Sequence, residues 1–249
     1  MKIHSIFLSI MAMTIFGSVQ AQQSYPTETF KTQSGKDVVI TLIKHASLAV
    51  TYDNYNIYVD PVLKFGDLTV DYTALPKADV ILITHEHGDH YSPDAIGQLE
   101  TAQTQILLNG KSQQQFGRGE TIANFENRQL GHGIQLESVP AYNITPDHLQ
   151  FHPKGNGNGY VLTIDGLRIY VAGDTEDIPE LADIKNIDVA FLPVNQPYTM
   201  TVDQAVHAAQ VIQPKVFIPY HYSQTPIEQV KQQLDAAGSG IDVRIRPMQ

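Results

Sequence analysis

Short apolar runs separated by polar turns recur along almost the whole chain. Val38 to Ile43 and Ser47 to Tyr52 are rich in apolar and β-branched residues and read as strands. Asn56 to Val59 follows as a third and ends at Asp60-Pro61, where proline stops further pairing. Asp79 to Thr84 (Asp-Val-Ile-Leu-Ile-Thr) has the unbroken apolar character of a strand buried on both faces. Ser92-Pro93-Asp94 then predicts a helix, with serine as N-cap and proline in the first turn. The polar stretch from 22 to 36 predicts a loose lead-in.

Further on, Gln105 to Leu108 predicts a strand, Ser112 to Phe116 a helix and Ile134 to Val139 a strand. Residues 141 to 159 form a loop rich in Asn, Gly, Pro and His. Gly159 to Ile164 and Leu167 to Ala172 make a hairpin about Asp165-Gly166, residues that accept positive φ. Asp188 to Leu192 reads as a buried strand, and Thr201 with Gln204 as a capping box opening a helix. Lys215 to Ile218, a helix from Pro226 to Ala237 and a strand from Val243 to Ile245 close the pattern. No repeat or linker divides it. Strands outnumber helices and helices fall between them, so the fold class is α/β, two packed sheets with helices outside, as one domain over 22–249.

Composition narrows the function. The chain has 26 acidic against 16 basic residues and a net charge of -10 over 249 residues, which disfavours a nucleic-acid partner and leaves a small-molecule substrate. It has no cysteine, so there is no disulfide, no thiolate ligand and no lipidated cleavage site; any metal sits among nitrogen and oxygen donors. Residues 1–21 read as a signal peptide, with Lys2, the apolar run Ile6 to Phe16, and Val19-Gln20-Ala21 before the cut. The apolar run is shorter than the ~20 residues needed to span a bilayer. The expected product is exported, periplasmic or secreted, with no stable membrane anchor after cleavage.

The densest chemistry is Thr84-His85-Glu86-His87-Gly88-Asp89-His90, just past the buried strand. His85 and His87, two apart, project from one face of an extended backbone and can grip one ion. Asp89 and His90 lie beyond Gly88, where the chain can turn toward a second ion. Four ligand-type residues in six positions is far from the composition of an ordinary solvated loop.

His-x-His-x-Asp-His after an apolar strand resembles the signature of the metallo-β-lactamase superfamily. The resemblance continues through Lys44-His45-Ala46-Ser47, Tyr58-Val59-Asp60-Pro61, Ala172-Gly173-Asp174-Thr175, Phe191-Leu192-Pro193 and Phe217-Ile218-Pro219-Tyr220-His221-Tyr222, spanning 38 to 223. In detail it is similar to the ascorbate-phosphate lactonase-like branch. It implies a four-layer αβ/βα sandwich, a bridging role for Asp174 and a second-metal ligand in His221. Where the family places a further first-metal histidine, this chain has Asn143 in Val139-Pro140-Ala141-Tyr142-Asn143. Three readings follow: Asn143 binds the first metal weakly, His148 or His152 folds back to replace the missing ligand, or the first site is empty. The favoured one has His152 or Asn143 assisting a labile first metal.

The expected activity is hydrolysis of a lactone, ester or phosphoester by metal-activated water, with Zn²⁺ preferred, one or two ions, and Mn²⁺ or Fe²⁺ as alternatives. Asp89 orients the water, and His45, His152 or Lys154 help at the reacting group. Alternatives are an iron-dependent oxidoreductase of the same fold and a non-catalytic exported metal-binding protein. His4, His132 and His207 read as bystanders.

Overall fold

The computed structural model describes residues 24–248, and in it the chain builds two seven-stranded sheets packed face to face. The first half supplies β1 (Thr27–Lys31), β2 (Asp37–Lys44), β3 (Ser47–Tyr52), β4 (Tyr55–Val59), a small hairpin of β5 (Lys64–Phe65) and β6 (Leu68–Thr69), β7 (Val80–Ile83), α1 (Pro93–Leu99), β8 (Gln105–Leu108), α2 (Gly110–Phe116) and β9 (Glu120–Thr121). The second half supplies β10 (Asn127–Gln129), β11 (Gln135–Ala141), β12 (Gly157–Ile164), β13 (Leu167–Val171), β14 (Val189–Pro193), α3 (Val202–Ile212), β15 (Val216–Tyr220), α4 (Glu228–Ala236) and β16 (Asp242–Val243). The strand orders are β1-β2-β3-β4-β7-β8-β9 and β10-β11-β12-β13-β14-β15-β16. Each sheet begins antiparallel and ends parallel, the change falling at β4–β7 in one and β13–β14 in the other.

Side-chain alternation sorts the apolar residues between layers. Ile57 and Val59 of β4 and Val80 and Leu82 of β7 enter the core between the sheets. Tyr58, Ile81 and Ile83, one residue out of phase, pack outward against Ala95, Ile96 and Leu99 of α1. On the far sheet, Ala205, Ala209 and Ile212 of α3 and Val230 and Leu234 of α4 cover the outer face. The result is helix, sheet, sheet, helix, the four-layer αβ/βα sandwich.

Local signals place several boundaries well. Ser92 caps α1 through Ala95 N, Thr201 and Gln204 form the capping box of α3, and Asp165 and Gly166 turn the β12–β13 hairpin at φ of 44° and 81°. The lead-in is corrected: Thr27–Lys31 is an edge strand paired to β2, from Thr27↔Thr41 to Lys31↔Asp37. Its buried polar residue is Glu28, whose oxygens accept from Arg244 Nη1 at 2.6 Å and Arg246 Nε at 2.5 Å. Partners more than 200 positions away leave no local trace in Thr-Glu-Thr-Phe-Lys. The expected signal peptide, 1–21, lies outside the described residues. Among the described residues no helix is long and apolar enough to cross a membrane.

Candidate metal centre

Parallel pairing aligns the carboxyl ends of β4 and β7, and of β13, β14 and β15, at one edge of the sandwich, where ligands of α/β sheets usually bind. Asp60 follows β4, His85 to His90 follow β7, Asp174 follows β13 and His221 follows β15. The two sheets are tied there by Asn158 N donating to Thr84 O at 3.0 Å. Gly173 makes this approach possible: at φ 66° a Cβ would stand 2.5 Å from Asn158 O and against Thr84. Gly88, expected to use its freedom to turn the chain, is not in the left-handed region. Instead His90 N and Tyr91 N both donate to His87 O, closing a tight turn.

A buried relay orients the imidazoles. The Asp60 carboxylate accepts from Thr84 N at 2.8 Å, Thr84 Oγ1 at 2.6 Å and His90 Nδ1 at 2.7 Å. The Thr84 hydroxyl, having given its proton to Asp60, accepts from His85 Nδ1 at 3.0 Å. His152 Nδ1 donates to Tyr198 O at 3.0 Å. In His85, His90 and His152 the outer nitrogen is therefore committed, and Nε2 faces the centre as a lone-pair donor.

These inward atoms converge in two groups. His85 Nε2 lies 3.1 Å from His87 Nδ1, with His152 in the same group. Asp89, His90 and His221 form the other with His45, His221 Nε2 being 3.4 Å from Asp89 Oδ2. Asp174 lies between them: Oδ1 is 3.2 Å from His90 Nε2, while Oδ2 is 3.2 Å from both His152 Nε2 and His221 Nε2 and 3.9 Å from His85 Nε2. Ligand atoms held at ~2.0–2.1 Å around one tetrahedral ion stand roughly 3.3 Å apart, so the spacing is that of donors sharing a cation. His90 Nε2, His152 Nε2, both nitrogens of His221 and Asp174 Oδ1 are buried without a hydrogen-bond partner. Orphaned buried atoms are costly unless something satisfies them. Divalent ions fit this donor set.

Electrostatics agree with that fit. Burial and the neighbouring His90 hold His85 well below its ordinary value, so it stays a neutral donor. Burial alone would depress His221, but the Asp174 carboxylate against it lifts it to about 9. Burial would raise Asp174, but His221 and His90 hold its carboxyl well below the usual range. Without metal, protons take the place of the cations.

The remaining expected residues fall as follows. Asn143 stands behind His152 rather than in the ligand ring, which corrects its expected place as a ligand. Its Nδ2 donates to Tyr198 O at 2.8 Å and His148 O at 3.2 Å, and its Oδ1 is 3.3 Å from His152 Nδ1. A side chain with both ends engaged in holding a loop has no oxygen turned to the cluster. His45, fully buried at φ 52°, sets Nε2 3.3 Å from Asp89 Oδ2 and is pushed down to about 4 by burial and by His221. Lys154 is turned away, its ammonium on Glu180 at 2.8 Å and Tyr142 Oη at 2.9 Å. His132 and His207 lie outside the cluster, near Asp53 and on Asp177 respectively. His4 lies outside the described residues.

Sequence reasoning missed Glu176. Fully buried, it accepts from Ile144 N at 2.7 Å, Thr145 N at 2.6 Å and His148 Nδ1 at 3.1 Å, pinning the loop that carries His152. Its one signal was an acid two positions after Asp174, readable only with that loop known to lie over it. Asp60→Asn tests the relay: the loss of one outer partner costs a metal site about 10- to 100-fold in affinity. That loss is the expected result in competition titration against a chromophoric chelator, and an unchanged affinity would remove Asp60 from the orientation of His90.

The sequence matches the family described as Beta-lactamase superfamily domain over residues 39–221, a span that contains every residue of the cluster. The chain belongs to the β-lactamase superfamily. It is 53% identical to a protein of Parabacteroides distasonis whose crystal structure was assigned as that of a metal-dependent hydrolase, with a TM-score of 0.85 covering 90% of this chain and 100% of that one. It is 30% identical to a UPF0173 metal-dependent hydrolase of Thermococcus kodakarensis over 76% of this chain and 86% of the relative. Igni18, a metallo hydrolase of Ignicoccus hospitalis, superposes with a TM-score of 0.69 at 27% identity, covering 85% of this chain and 95% of that one. This member of the superfamily is a metal-dependent hydrolase.

Proposed function

We propose that the protein is an exported hydrolase that holds two divalent ions, zinc by preference, and directs an activated water at a lactone, ester or phosphoester. The observation that carries the two-ion reading is Asp174, its two oxygens set between two groups of inward nitrogens. His85, His87 and His152 would hold one ion, Asp89, His90 and His221 the other, and Asp174 both. A bound divalent ion supplies Lewis acidity, bringing the pKa of a coordinated water toward neutrality and polarising the bond under attack.

The chain's own residues do the rest. Asp89 is half-buried, and burial would raise its carboxyl, but His90, His221 and His45 hold it well below the ordinary range. A group so acidic is a poor proton reservoir at neutral pH and works by orienting the water through hydrogen bonding. His45 and His221 both approach Asp89 Oδ2, which leaves Oδ1 for that water. His45, neutral above about pH 4, gives its single N–H to Asp89 and positions it. Asn195 and Ser223 line the cavity and can donate to the substrate oxygen as charge develops.

A first group completed by His152 would weigh against a non-catalytic metal-binding protein, the alternative that rested on a missing imidazole. The test is hydrolysis of a panel of lactones, esters and phosphodiesters after chelation and after restoring zinc, manganese or iron. Turnover that vanishes and returns with zinc supports the reading. If the protein purified without added metal carries iron with a visible absorption band and hydrolyses nothing, the oxidoreductase alternative takes its place.

A further inference from the structure

A cavity of about 310 Å³ opens directly over the cluster, at the small end of the ~300–1,000 Å³ usual for ligand sites. Its walls are aromatic. Phe65, from the β5–β6 hairpin, stacks on His45 with ring centres 3.8 Å apart, and His45 lies 3.9 Å from His221. At the other end Phe151 and Tyr198 meet edge to face at 5.0 Å, beside His152. One aromatic wall therefore flanks each group of ligands.

The rim continues the theme. Five large apolar side chains are exposed among the described residues: Leu68, Phe125, Ile144, Leu149 and Tyr198. Four of them belong to segments that build this mouth. Leu68 pairs across the hairpin with Phe65, Ile144 and Leu149 lie on the loop that carries Phe151 and His152, and Tyr198 is itself a wall. Tyr198 lines the cavity itself, and apolar walls with a few convergent polar groups are the composition of a ligand site.

Charge points the same way. The lining holds the carboxylates of Asp89 and Asp174 and no lysine or arginine. The nearby ammonium of Lys44 lies over the Phe65 ring, 5.3 Å from its centre, and is not part of the lining. Lys154 is engaged with Glu180. A phosphate remote from the scissile bond would sit against an aromatic ring with no cationic partner, and burying it there is costly.

We propose that this cavity selects an uncharged acyl substrate bearing one ring or a short branched apolar group, an aryl or alkyl ester or lactone, over phosphorylated counterparts. This deepens the hydrolytic reading and rests on it. The water oxygen bonds to the carbonyl carbon, the carbon–oxygen bond to the alcohol breaks with its electron pair, and that oxygen takes one water proton. The other water proton stays on the new carboxylic acid and is released only when that acid ionises to the carboxylate. The ring or branched group packs between Phe65 and the Phe151–Tyr198 pair, and Asn195 and Ser223, joined at 3.3 Å, face the ester oxygens.

Two measurements test it on the zinc-loaded protein: kcat/KM for phenylacetyl and acetyl esters of one alcohol and for a lactone with and without a remote phosphate, and calorimetric binding of phenylacetamide and acetamide. The aryl member is expected to be favoured by at least about 10-fold, the range that an apolar pocket gives for added apolar groups. Phe65→Ala and Tyr198→Ala should narrow that ratio and weaken phenylacetamide binding, with wild-type metal content showing that the cluster is intact. Phe125→Ala, in a separate cavity, should leave both intact. Preference for the phosphorylated lactone, or its loss in Lys44→Met, overturns the inference while leaving metal-restored hydrolysis standing. So does an aryl preference indifferent to both wall variants. Selective amide binding that the wall variants weaken, with no hydrolysis of any ester, lactone or phosphodiester, supports the pocket and sinks the hydrolase reading. Absence of both binding and hydrolysis overturns the two together.

Discussion

Asp174→Asn is expected to lower kcat/KM by more than about 100-fold, beyond the ~10- to 100-fold that losing an outer partner costs a metal site. The reason is geometric. One buried carboxylate stands within 3.2 Å of His90, His152 and His221, so its loss removes a donor from both groups at once. The same charge lifts His221 to about 9, against the depressing effect of burial. At neutral pH the metal-free protein therefore holds a proton on His221 that an incoming ion must displace. Metal affinity should rise as pH climbs toward 9, by at least about tenfold per pH unit, since His90 beside Asp174 and Asp60 is also raised and its proton must be displaced too. The stability that this raised pKa gives the metal-free protein runs the other way: full below the ordinary histidine value near 6.5, lost as pH rises through about 9. In Asp174→Asn, proton release on zinc binding at pH 7 should fall, as read by calorimetry in two buffers of different ionisation enthalpy. Wild-type turnover or unchanged proton release would refute the shared role.

His152→Ala should reduce zinc from two ions per chain to one and lower turnover by about 100-fold or more, the scale reported for removing one group that stabilises developing charge. Asn143→Ala should behave differently. It removes a prop rather than a donor, so both ions should bind at saturating zinc, with the first weakened by about 10- to 100-fold. Metal analysis after gel filtration, with and without excess zinc, separates the cases. Two tightly held ions in His152→Ala would place the third donor of the first group elsewhere.

The contrast between those residues shows where reading the chain stopped. His85, His87, Asp89 and His90 were legible because they are close in sequence and follow a buried strand, so local geometry alone aims them. Asp174 and His221 became legible through the order of motifs. His152 and Asn143 both sat in one polar loop, and spacing could not choose between them. The choice was made by contacts from elsewhere. Glu176 pins the start of the loop, Asn143 N donates to His152 O at 2.8 Å across it, and the carbonyl of Tyr198 orients the imidazole. The strand β1 was lost for the same reason, since its buried Glu28 depends on Arg244 and Arg246.

The aromatic cavity follows the same rule. Phe65 ends a two-residue strand and Phe151 and Tyr198 lie in two separate connections, and none carries a periodic signal. By itself the sequence determined the layered α/β plan, the edge at which the chemistry gathers and most of the metal-facing side chains. Strand alternation and short ligand spacings are set by local backbone geometry. Only the tertiary structure decided which loop histidine completes the first group, which side chains hold that loop in place, and what walls the substrate meets. Those depend on segments far apart in the chain being packed against one another, and their side-chain directions are fixed by hydrogen bonds that no spacing along the chain encodes.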